Sequence, residues 1–211
     1  MPWSTASRSY GAIISLGANC QTAYQLRRLK LRKASYPFDW FYFSNTAEVI
    51  RVLQTDFAHF MLRENLEPRQ PSRVTTLVRD RFTTCWSYHD FPLPTKPDQD
   101  PLYGYPEFRQ KLDRRIARFY ETVRSGQRIL FIRNHVKAEE AAPLKEALDA
   151  LTAPRRCSLL LVNYHEESQG MKEEGWGLGG VHTVRIAKGT QWYGDSKEWD
   201  ELLRNVRLIR G

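Results

Sequence analysis

The segment Ile13-Ile14-Ser15-Leu16-Gly17-Ala18-Asn19-Cys20 runs straight into Gln21-Thr22-Ala23-Tyr24-Gln25-Leu26-Arg27-Arg28. An apolar run with the character of a buried strand stops at a glycine, and a cysteine then opens an amphipathic helix. At such a place lie the first unpaired backbone N–H groups and the positive end of the helix dipole. That field favours thiolate over thiol, and the thiolate is the nucleophile of cysteine acyl transfer. Cys20 is therefore the expected nucleophile. Its own N–H and the Asn19 side chain are the expected oxyanion donors, with a plain helix cap as the second reading of Asn19. Cys85 and Cys157 fall inside strand patterns and read as core.

A thiol nucleophile needs a base. Of His59, His89, His135, His165 and His182, His89 stands out, because it closes the apparent strand Phe82–His89 and enters a proline-rich stretch. That combines exposure with rigid support. His135 and His165 each follow a buried strand and are the alternatives. For an orienting acid, Asp39 sits among aromatic neighbours in Pro37-Phe38-Asp39-Trp40, where a partly buried carboxylate needs a partner. An imidazole would serve, and so would one of the nearby arginines; Asn134 and Asp195 are further candidates. Asp90 is disfavoured, since successive strand residues point to opposite faces.

The chain carries 32 Lys+Arg against 24 Asp+Glu, a net charge of +8, which favours an anionic partner. A nucleotide-sugar or acidic glycan held by Arg27, Arg28 and Arg133, with Cys20 merely packed, is the alternative to acyl transfer on an anionic or peptide-like substrate. No nucleic-acid motif accompanies the charge. Three widely spaced cysteines form no zinc pattern, and neither a metal nor a cofactor is expected. Cysteine usage fits a reducing, cytoplasmic setting. No apolar run approaches the length of a membrane span, and the opening residues lack the apolar core of a secretory signal.

These side chains must be held by elements legible in the pattern. Strands are expected at 11–16, 81–90, 128–133, 157–163 and 181–187, and helices at 46–56, 107–124, 139–151 and 196–206. Asn45 or Thr46 is the expected cap of the first of these helices and Ser196 of the last. Continuous apolar strands such as Ile129-Leu130-Phe131-Ile132 require cover on both faces. Alternation with helices then predicts a single α/β domain over 1–211, a three-layer sandwich with a mainly parallel central sheet and the nucleophile after its first strand. Long loops are expected at about 62–80, at 92–106 with five prolines, and at 167–180 with five glycines.

The block Ser15–Cys20 with Leu26-Arg27-Arg28 and Ser35-Tyr36-Pro37-Phe38-Asp39-Trp40 resembles a bacterial family labelled papain-like cysteine peptidases. His89-Asp90-Phe91 and Leu130-Phe131-Ile132-Arg133 are similar to its weaker motifs. The resemblance implies a Cys–His pair, carried here onto Cys20 and His89. A papain fold joins a helical half to an antiparallel, barrel-like half, whereas the periodicity of this chain points to a parallel sheet.

Overall fold

A computed structural model describes residues 2–166 and 170–209. Its central sheet has the order β2-β7-β8-β10-β9, formed by β2 (Ala12–Ser15), β7 (Ile129–Asn134), β8 (Cys157–His165), β10 (Val181–Ala187) and β9 (Lys172–Glu174). The first four pair in parallel; β9 runs antiparallel to β10. The sheet is therefore mixed, which corrects the expected mainly parallel one. The cause lies in the glycine-rich stretch, expected as loop throughout, which returns along β10 as β9 after residues 167–169, outside the described residues. A short parallel pair, β1 (Arg8–Tyr10) with β11 (Val206–Leu208), ties the two ends of the chain together.

Alternate residues of the buried strands feed two cores, as the pleat dictates. Ile14, Phe131, Leu159 and Leu161 face a core shared with α2 (Thr46–Gln54), α3 (Tyr105–Arg124) and α4 (Ala138–Leu151). Ile13, Leu130, Ile132, Leu160 and Val162 face the other, closed by Leu26 of α1 (Gln21–Arg28) and by Trp199, Leu202 and Leu203 of α5 (Ser196–Leu203). Asn45 caps α2 by accepting from Glu48 N–H at 3.0 Å. At α5 the cap is Asp195, not the expected Ser196; its carboxylate accepts from the N–H groups of Lys197 and Glu198.

A second sheet, antiparallel and of order β3-β6-β5-β4, comprises β3 (Phe41–Tyr42), β4 (Leu66–Pro71), β5 (Thr75–Asp80) and β6 (Trp86–Pro92). Residues 62–80 thus hold two strands where a loop was expected. Pro68 and Pro71 disguise β4, and they are tolerable because it is an edge strand. The expected strand 81–90 begins only at Trp86. Before it, the Asp80 carboxylate closes a turn by accepting from Phe82 N–H at 3.0 Å and from the Thr83 hydroxyl at 2.7 Å.

Candidate active site

Cys20 is delivered by a strained corner. After β2, Gly17 and Ala18 adopt φ of 75° and 76°, the left-handed region that costs an alanine about 1 kcal/mol or more. Phe38 lies beneath: a Cβ on Gly17 would stand 3.1 Å from the Phe38 carbonyl oxygen. Phe43 N–H donates to Ala18 O at 3.1 Å and pins the corner to the antiparallel sheet. Backbone held in such a conformation marks functional sites. Asn19 Oδ1 accepts from Gln21 N–H at 3.0 Å and closes a local turn there, and Cys20, the N-cap of α1, stands half-buried.

The charges around the sulfur are not those expected. Burial, then the carboxylates of Asp90 and Asp39, push the Cys20 thiol up to about 11; only its own N–H pulls the other way. Desolvation and two anions together raise the thiol. The expected lowering does not occur, and the resting group is a thiol. Burial also pushes up Cys85, well above its ordinary value, and Cys157, to about 12.

Asp90 reaches this place through a β-bulge. Between Thr76 and Val78 of β5 the partner strand steps from Phe91 back to Ser87, so Tyr88, His89 and Asp90 stand opposite Leu77 alone. Alternation fails there, and Asp90 turns inward, accepting from Ser87 Oγ at 2.8 Å with Lys111 Nζ 3.7 Å away. Burial, then Tyr42 and last Cys20, raise the Tyr88 phenol. His89 shares the bulge but is exposed.

No histidine is hydrogen-bonded to the Cys20 sulfur among the described residues. His135 packs on Tyr164 at 4.9 Å, with its pKa lowered by burial, Arg133 and Lys188. His59 stacks on Phe82 and His182 on Trp3. His165 Nε2 lies 3.0 Å from Gly170 O.

Asp39 is a frame residue. Its Oδ2 accepts from Arg32 Nη2 at 2.5 Å and from Tyr36 N–H at 2.8 Å. Burial raises its carboxyl to about 6 against the pull of Arg32, Tyr36 N–H and Arg115. With Phe38 under Gly17, the Tyr36–Trp40 block is the floor of the Cys20 corner. The other acid candidates are also engaged: Asn134 accepts from Thr22 Oγ1 at 2.5 Å and donates to Gln21 at 3.1 Å, and Asp195 caps α5.

The expected anion contacts divide. Arg133 is fully buried, and it donates to Thr46 Oγ1, Leu16 O and Asn45 O at 2.9–3.1 Å, which leaves it no face for a ligand. Burial lowers its pKa to about 10. This corrects the expected substrate contact: Arg133 braces the end of β2 against α2. Arg28 is bound to Asp200 and Gln25. Arg27 is exposed, with its guanidinium 5.7 Å from the Tyr24 ring centre. Cations that matter more were overlooked: Lys111, Arg115 and Arg118 recur on α3 at four- and three-residue spacing, which puts them on one face.

A half-buried cysteine at a helix start thus stands near a bulged strand that carries a histidine and a carboxylate. Residues 11–163 match the family described as "Putative papain-like cysteine peptidase (DUF1796)", and the chain belongs to that family. It is 30% identical over 158 residues to "Uncharacterized protein R408" of Acanthamoeba polyphaga mimivirus, covering 66% of this chain and 70% of that one. The relative is viral, where the resemblance implied a bacterial family. No solved structure matches the chain. Among the described residues no helix is long and apolar enough to cross a membrane, and no cluster of His, Cys, Asp or Glu is arranged to hold a metal ion.

Proposed function

We propose that the protein is a cysteine-dependent hydrolase or acyltransferase of peptide-like type with Cys20 as nucleophile and His89 as base. The observation that carries this reading is the strained Gly17-Ala18 corner, which holds a half-buried thiol at the start of α1 beside the β6 bulge. Because burial, then Asp90 and Asp39, keep the thiol protonated, activation needs proton removal during attack rather than a standing thiolate.

In this reading His89 swings from its exposed position on the bulge when substrate covers the site. Its imidazole takes the Sγ proton as sulfur bonds to the acyl carbon and the carbonyl π pair moves to oxygen. The Cys20 N–H and the Asn19 amide Nδ2 support the oxyanion. Collapse expels the leaving group, which takes the proton from His89. Water, deprotonated by His89, or another nucleophile then cleaves the thioester and restores the thiol.

His89→Ala tests this. Its folding stability should change by less than about 0.5 kcal/mol, as at an exposed site. Acylation of Cys20 by an activated ester at neutral pH should fall by about two orders of magnitude. An unchanged acylation rate would remove His89 from the mechanism.

The second reading, a binding protein for an anionic ligand with a non-catalytic Cys20, is favoured by one observation, the cationic face of α3 beside a protonated thiol.

A further inference from the structure

The antiparallel sheet has two unlike faces. One is buried through Phe41, Val78, Ser87 and Phe91. The other is lined by exposed and half-buried side chains. Strand register sets Tyr42 opposite Trp86, Trp86 opposite Arg79 and Arg79 opposite Glu67, so these four cross the open face as one row. Side chains paired in this way are close neighbours. Tyr88 joins the row from the bulge, its ring 6.4 Å from that of Tyr42 and 6.4 Å from that of Trp86. Tyr42 is 40% and Tyr88 37% exposed, so both present ring surface to solvent.

The cations of this face are only partly spent. Glu67 pairs with Arg69 and lies 3.8 Å from Arg81. The side chain of Arg79, opposite Glu67 in register, has no hydrogen bond or ion pair among the described residues. The same holds for Arg73, exposed between β4 and β5. Asp90 adds no anion to the face, because the bulge turns its side chain inward to Ser87, with Lys111 3.7 Å away. Three rings therefore share an open surface with two uncommitted guanidinium groups.

We propose that this face binds single-stranded nucleic acid, with bases stacked on Tyr42, Trp86 and Tyr88 and phosphates held by Arg79 and Arg73. Such a strand offers flat π-faces and an anion at each step, which is what rings and cations on one surface recognise without reading sequence. A duplex hides its base faces and meets only the cations. Arginine suits the phosphates, since its planar fork matches their oxygens. The net charge of +8 favours the approach of a polyanion. No motif announces this surface, because it is assembled by register between β3, β5 and β6.

The test measures the fluorescence anisotropy of a labelled oligothymidylate of about twelve nucleotides mixed with the intact protein at low salt. Binding should weaken as salt rises. Tyr42→Ala and Tyr88→Ala should each loosen it about fivefold or more. Where an alanine variant does not fold, the leucine variant, which keeps bulk and loses the π-face, should loosen it likewise. Arg79→Gln should reduce the slope of log affinity against log salt by about 0.7. Trp192→Ala, at an exposed tryptophan packed on Tyr24 of α1 and outside this sheet, should change nothing.

An abasic oligomer of the same length keeps the phosphates and lacks the bases, and it should bind about tenfold more weakly or worse. Equal affinity for that oligomer would leave a general anion surface and overturn the proposal. So would the absence of binding at low salt, or tyrosine variants that bind as the wild type does. Self-association lost in Tyr42→Ala with oligonucleotide binding intact would make the face an interface between copies and would likewise overturn it. None of these readouts depends on whether Cys20 reacts.

Discussion

Asp90 is the foremost charge acting on Cys20, and it adds to burial in raising that thiol although the sulfur sits at a helix start. With the thiol pushed up to about 11, its ionised fraction climbs about tenfold per pH unit from neutrality to near pH 10. Alkylation of Cys20 by iodoacetamide should follow that slope without a plateau below pH 10. Removing the anion favours thiolate, so Asp90→Asn should lower the pKa and speed alkylation at pH 7.5 several-fold. A slower variant, or a wild-type plateau near pH 8, would mean that Asp90 does not govern the sulfur.

The corner before Cys20 has its own signature. Gly17→Ala places a Cβ at positive φ and 3.1 Å from Phe38 O, and should destabilise the fold by about 1–2 kcal/mol. Ala18→Gly relieves the same strain and should be neutral or mildly stabilising despite the added freedom of the unfolded chain. Urea midpoints of the two variants should therefore move in unlike ways; equal losses would contradict the strained corner.

Arg133 separates framework from substrate contact. Its guanidinium holds Leu16 O, Asn45 O and Thr46 Oγ1, and Thr46 in turn donates to Glu140. Arg133→Met leaves two carbonyl oxygens and the Thr46 hydroxyl without their buried donor, at a cost of about 3–5 kcal/mol. Chemical denaturation checks this. A variant as stable as the wild type would return Arg133 to the list of ligand contacts.

What the sequence disclosed follows where periodicity is strong. The strands of Ile13, Phe131 and Leu160, parallel neighbours around β7, were legible because burial on both faces writes a continuous apolar run. So was α3, whose Phe108, Leu112 and Phe119 repeat at helical spacing. The antiparallel sheet was not, since β4 is exposed from Pro68 to Pro71 and carries two prolines, and so writes no strand pattern. Within the site, Cys20 and its helix start were readable from local order. Asp90 was not: it was set aside on strict alternation, and the bulge that turns it inward comes from pairing with β5, which local sequence does not encode. The lowered thiol pKa expected from the helix alone failed for the same reason, because the anions that raise it come from distant segments.

The account stands on Cys20 being the reactive thiol, and limiting iodoacetamide on the native protein, read by peptide mass spectrometry at several pH values, tests that most directly. Cys20 is half-buried, while Cys85 and Cys157 are buried, with thiols that burial pushes up as well. Cys20 should therefore be modified first at every pH below unfolding. Labelling of Cys85 or Cys157 ahead of Cys20 would contradict the account.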